Sequence, residues 1–350
     1  MASDQPAFAA FHSTSALAPL NLAWTRSVAA YVTTLAVSND GSLLALGTGE
    51  GDICVFDARS GEEKFHRTAH AAGAVALSWC GSGRRRLASC GNDGCARVFD
   101  VTGTELGRLP RASSGWSEPL GWSPDGTQLA VASGCCVRVW SDHSVFETEP
   151  HEGSVTGLAW THRGDAFVTA CDGGVRWFEA DSRVAARRWP NQAPLTSLCF
   201  SADDAWLAGV TRNHSVRILG LATSRGAELA GFCANPRSLD WNAVGDLLAT
   251  AGDTKVAAWD FREPVPERQR PILLVGHHAL CTVVAFNPQH EALASGSDDT
   301  RVLLWRPRLT NAAIAFGQLE DTVTALGWAL AGSSIVAADA RGTLRSWLLP

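Results

Sequence analysis

Five cysteines and two histidines between residues 70 and 171 carry the side chains of a soft-metal site: His70, Cys90, Cys95, Cys135, Cys136, His151 and Cys171. Thiolate sulfur and neutral imidazole nitrogen suit zinc or cuprous copper. Cys135 and Cys136 are adjacent in "ASGCCVRVW" (132–140), where a polar turn pair would be ordinary. The chain has no CxxC spacing, and zinc–sulfur bonds of about 2.3 Å require ligand sulfurs about 4 Å apart. Adjacent cysteines on a strand point to opposite faces, and cysteine otherwise behaves as a small buried hydrophobe. A metal or thiol site and simple core filling therefore both stand as readings, the second implying no cofactor at all.

A second constellation imitates hydrolytic chemistry. His70, Ser89 and Asp93, and again His277, Ser295 and Asp299, supply a base, a hydroxyl and an orienting carboxylate. No strand–GxSxG–helix context accompanies them, and there is no phosphate loop, HExxH, paired-carboxylate motif or cofactor fingerprint. The expectation is a protein that is not an enzyme.

Composition limits the partners. The 350 residues carry a formal charge of −6, with 46 % hydrophobic and 18 % charged residues, enough to bury a large core. Lys64 and Lys255 are the lysines among 29 basic residues, and this arginine and alanine bias fits a GC-rich bacterial genome. An acidic balance gives no support for nucleic acid or a membrane surface, both of which want a basic face. No apolar run approaches the roughly 18–20 residues of a membrane span. The segment before Arg26 has no lysine or arginine, so no secretory signal is expected. Ten cysteines are then expected to be reduced, in a cytoplasmic protein.

The elements that carry these residues repeat. An apolar alternation recurs eight times, as in "TTLAVSNDG" (33–41), "VALSWCGSG" (75–83) and "TALGWALAG" (324–332). Each copy is followed by a second apolar run and then by a β-branched strand. The third strands end at Phe56, Phe99, Trp140, Phe178, Leu219, Trp259, Trp305 and Trp347, at intervals of 38 to 46 residues. Period-two alternation broken by Gly, Asp and Asn means short antiparallel strands. Such sheets bury both faces only when packed radially.

The stretch "LVGHHALCTVVAFNPQHEALASGSDDTRVLLW" (274–305), with its Gly-His signal, "SGSDD" turn and closing Trp, resembles the WD-repeat β-propeller family, and the resemblance extends over about residues 20–350. It implies an all-β, single eight-bladed propeller of four-stranded antiparallel blades, with seven as the alternative if "VRIL" (216–219) is a loop. The N-terminal strand "LNLAWTR" (20–26) is expected to complete the last blade and close the ring, leaving 1–19 as a tail or strap and 20–350 as the propeller. The resemblance also implies a structural tetrad in each full repeat: His277, Ser295, Asp299 and Trp305 in blade seven; His70, Ser89 and Asp93 in blade two, with Phe99 for the Trp; and His151, Thr169 and Asp172 in blade four, with Phe178. Arg97, Arg138, Arg176, Arg217 and Arg345, two places before the closing residues, read as repeat positions with packed stems.

Function is expected at the turns. The family resemblance implies a rigid disc that binds a protein or peptide partner through one face, as a monomer in isolation. Candidate contacts are Trp116 and Trp189 in outer segments, and Asp52, Asn92, His143, Arg212, Asn213 and Asp298 at turns. The alternative is a metal-handling protein using the cysteines of blades two to four. A quinone-cofactor propeller enzyme is set aside because those look exported.

Overall fold

The computed structural model describes residues 17–81, 83–110, 119–190, 195–222, 226–262 and 270–349. Its strands assemble into eight separate sheets arranged as the blades of a propeller. In blade one the strands are Val32–Val37, Leu43–Thr48, Asp52–Asp57 and Glu63–Thr68, hydrogen-bonded in that order and antiparallel. Blades two to seven repeat this up-and-down order. Blade five includes Val216–Gly220 as a full third strand, paired on both sides, which settles the count at eight.

Ring closure follows the sequence expectation. Asn21–Ser27 pairs antiparallel with Thr343–Leu348 and supplies the outer strand of blade eight. Trp24, 7 % exposed, donates its indole N–H to Ala58 O of blade one at 3.0 Å. Ala18–Pro19 adds a short fifth strand, parallel to Ala315–Phe316, at the outer edge of blade seven. Residues 18–27 are thus tied into the ring at blades seven and eight, and the third strand of blade eight is left with no bare edge.

The hydrophobic core is divided among the interfaces. Eight clusters of buried apolar side chains occur among the described residues, one between each pair of neighbouring blades. Polar contacts near the axis reinforce them. The first strands of five blades carry a register shift. In two of these the displaced residue is a threonine that reaches the next blade: Thr33 Oγ1 donates to Ala74 O, and Thr282 Oγ1 to Val323 O, each at 2.5 Å. Indoles point the other way. Trp79, Trp160 and Trp328 donate to Ala36 O, Gly121 O and Ala285 O of the preceding blade at 2.9–3.1 Å. Buried donors and acceptors must be paired, so the ring is pinned at its centre as well as packed.

The two faces of the disc differ. In each blade the second-to-third-strand turn and the blade-to-blade connection share one end, here the upper face. The first-to-second and third-to-fourth turns share the lower face. On the lower face several charges pair across interfaces. Arg85 meets Asp40 at 2.7 Å, Arg84 and Arg86 both meet Asp142 at 2.7 Å, and His162 meets Asp204 at 2.8 Å. Arg308 of blade seven holds Asp246 and Asp260 of blade six and Glu291 of its own blade at 2.8–3.2 Å. Single exposed pairs contribute little, but a guanidinium shared by three carboxylates forms a network.

Candidate functional site

The His–Ser–Asp groups are built into blade walls. In blade seven His277 Nε2 meets Ser295 Oγ at 2.8 Å and Nδ1 meets Asp299 at 3.0 Å, while Trp305 donates its indole N–H to the same Ser295 Oγ at 2.8 Å. His277, Ser295 and Trp305 are buried. Burial opposes ionisation of Asp299, but the His277 ring and the N–H groups of His278 and Arg301 hold its carboxyl down to about 2. Blade two repeats the first three members: His70 Nε2 meets Ser89 Oγ at 2.9 Å and Nδ1 meets Asp93 at 3.0 Å. Phe99 has no N–H to add. Each hydroxyl is occupied and enclosed, so neither set can offer a nucleophile to a substrate.

Blade four departs from the expected tetrad. His151 Nε2 meets Thr169 Oγ1 at 2.7 Å, but Nδ1 meets Cys135 O at 2.9 Å. Asp172 is exposed and lies outside the network. The cause is the short turn of blade three. Gly134, at φ +61°, and Cys135 are its two central residues, and the tight turn brings Cys135 O within reach of both the His151 ring and its backbone N–H at 2.7 Å. Burial pulls the His151 ring down to about 4, so it is neutral at physiological pH.

The seven-residue metal cluster is not assembled. Among the described residues no three His, Cys, Asp or Glu side chains converge as metal ligands. His70 and His151 spend their ring nitrogens inside the blades. Cys90 is fully buried, Cys95 accepts from Arg108 at 3.5 Å, and Cys171 Sγ accepts from Gly173 N–H at 3.3 Å. Cys135 and Cys136 do not diverge as strand neighbours would. One occupies the turn and the other begins the strand, and their sulfurs are 3.8 Å apart.

The turn residues sort onto the two faces. Asp52, Asn92, Arg212, Asn213 and Asp298 lie at second-to-third-strand turns and hence on the upper face. His143 lies on the lower face, because 141–144 joins the third strand of blade three, Cys136–Ser141, to its outer strand Val145–Glu147. Trp189 is half-buried in the outer strand of blade four, packed on the blade four–five core beside a cavity of about 240 Å³. Trp116 lies outside the described residues. Asp52 meets His66 at 3.3 Å, and Asp298 meets Arg237 at 3.9 Å.

Sequence reasoning missed the free carboxylates of this face. Glu50, Glu152 and Asp172 are exposed at turns or connections, and among the described residues none has a hydrogen-bond or ion-pair partner. Glu152 and Asp172 face each other across Gly173 and Gly153, where an added methyl would collide with Glu152 Oε2 or touch the Asp172 carboxyl. Arg138, Arg176 and Arg345 pin the preceding blade by donating to Pro110 O, Pro150 O and Gln318 O at 2.6–2.9 Å.

Comparison with known proteins agrees with this architecture. The family model "WD domain, G-beta repeat" matches residues 61–100, 120–141, 143–179 and 269–306. The WD repeat-containing protein WDS homolog of Arabidopsis thaliana is 25 % identical over 78 % of this chain and 55 % of its own length. WD repeat-containing protein slp1 of Schizosaccharomyces pombe is 30 % identical over 79 % of this chain and 50 % of its own. Protein transport protein SEC13 of Mycosarcoma maydis is 24 % identical over 75 % of this chain and 85 % of its own. The chain therefore spans about half the length of the first two. Among solved structures, the computationally designed Ika8 protein superposes with a TM-score of 0.79 at 20 % identity, covering 94 % of this chain and all of that one, which speaks to fold alone. In four matched repeats, in relatives named for the same repeat and in its eight four-stranded blades, the chain is similar to WD40-repeat β-propellers.

Proposed function

We propose that this protein is a non-enzymatic binding platform whose upper face seats a protein or peptide partner rich in basic residues. Three solvated carboxylates on the upper face carry this reading. Both faces carry ion pairs, but the upper face leaves three carboxylates, Glu50, Glu152 and Asp172, solvated and unpaired on turns fixed by the ring. Carboxylates held in place by a rigid scaffold steer a cationic partner and fix its orientation more than they add raw affinity. Asp52, Asn92, Arg212, Asn213 and Asp298 border the same surface. A chain charge of −6 favours the same choice of partner. We further propose a monomeric, cytoplasmic protein of bacterial type, on the arginine bias of the sequence.

The triple variant Glu50→Lys/Glu152→Lys/Asp172→Lys tests the reading. Tagged and expressed in the source cell, it should recover its specific partner at least tenfold less than the unaltered chain. The lower-face variant Glu179→Lys should recover it fully. A partner retained by the triple variant and lost by Glu179→Lys would sink the proposal.

A further inference from the structure

We infer that Cys135 and Cys136 form a two-thiol chelating site for a thiophilic divalent cation, zinc being the best fit. The sulfurs stand 3.8 Å apart. With metal–sulfur bonds of about 2.3 Å, that separation subtends about 110° at the ion, close to the tetrahedral angle. A disulfide would need the same sulfurs at about 2.05 Å, a far larger rearrangement within two neighbouring residues. The reduced pair is therefore spaced for chelation rather than oxidation.

The surroundings support a site rather than filler. Both cysteines are half-exposed on the upper face, and Val137 and Val139 supply the blade's apolar contacts in their place. The backbone beneath them is fixed: Cys135 O accepts two bonds from His151, and Val155 N–H donates to Gly134 O at 2.8 Å. The two thiols are thus held together before any ion arrives, which lowers the ordering cost of binding. The Glu147 carboxylate lies within hydrogen-bonding reach of Cys136 and offers an oxygen donor to the ion. Binding replaces two S–H bonds by two metal–sulfur bonds and releases two protons to solvent. Two protein sulfurs leave coordination positions open to water or to a donor from a bound partner.

Tag-free protein, reduced with a phosphine, is titrated with Zn²⁺ alone and with Co²⁺ alone as its spectroscopic stand-in. The expected result is one equivalent per chain, with a sulfur-to-cobalt charge-transfer band that zinc abolishes. The band should vanish in Cys135→Ser/Cys136→Ser and persist in Cys233→Ser. Phenylarsine oxide, which bridges paired thiols, should block cobalt binding at one equivalent in the unaltered chain, a readout that needs no variant to fold. No charge-transfer band, or a band surviving in the double variant with an unchanged melting curve, would each overturn the site.

Discussion

Gly342→Ala is expected to open the ring. Gly342 sits in the second-to-third-strand turn of blade eight at φ +88°, a region that side chains rarely enter. A methyl there would lie 2.0 Å from Val28 O and 2.7 Å from Ala30 O, on the connection that follows the closing strand. Gly342 O also accepts Val28 N–H at 2.9 Å, so the turn cannot withdraw without losing that bond. The opposing atoms are backbone, and relief requires moving the closing strand off blade eight. A loss of more than about 3 kcal/mol is expected, from strain together with the contacts given up. An opened ring also exposes Thr343–Leu348 as a bare edge, so self-association should appear in size-exclusion chromatography. Gly83→Ala is the matched control, with φ +70° and no atom within 4 Å of the added methyl. It should cost only about 1 kcal/mol, the backbone penalty alone. Equal destabilisation of the two variants in urea melts would refute the closure argument.

Asp240→Asn is expected to stabilise the protein at alkaline pH and to flatten its pH dependence. Asp240 occupies an inner-strand slot that holds Ala36, Ser78, Gly121, Ala159, Cys199, Ala285 and Gly327 in the other blades. It packs between blades six and seven, where its carboxylate accepts Phe286 N–H at 2.7 Å. Burial pushes its carboxyl up to about 7, against the opposing N–H groups of Phe286 and Trp241. The folded chain therefore holds this proton more tightly than the unfolded chain does. The stability it supports is fully present below the unfolded carboxyl range near pH 4 and is lost as pH rises to about 7. The slope cannot exceed about 1.4 kcal/mol per pH unit. Asparagine keeps the oxygen acceptor and carries no charge, so the variant should be more stable than the parent by about 2–4 kcal/mol at pH 8 and near parity at pH 4. Melting curves at the two pH values decide it. A variant less stable than the parent at both would show that the carboxylate is a needed partner.

The fold was legible because its signal repeats. Eight copies of one alternation, each closed by a bulky residue, define both strand count and blade order, and "LNLAWTR" declared itself by having strand character and no blade of its own. The site was less legible because it depends on turn parity and turn length. His143 was misplaced to the upper face since a third-to-fourth turn reads locally like any other polar turn. Asp172 was assigned to a tetrad because spacing within blade four allowed it. The competing acceptor, Cys135 O, comes from the preceding blade and from a turn two residues long. The Cys135–Cys136 sulfurs converge because only one of the two lies in a strand, whereas the strand rule had sent them apart. Arg308 and its three carboxylates are scattered from 246 to 308, and no local pattern joins them. Asp240 could have been found: a lone acid in "SLDW", where its counterparts are small and mostly apolar, is visible in the alignment of the repeats.

The most direct test of the platform reading is a hydrogen-exchange footprint of the protein with and without the partner recovered from source cells. Protection should be confined to upper-face segments, 49–52, 151–153 and 171–174, with lower-face turns such as 84–86 and 141–144 unchanged. Protection centred on those lower-face turns, with the upper segments exchanging as freely as in the isolated chain, would contradict it.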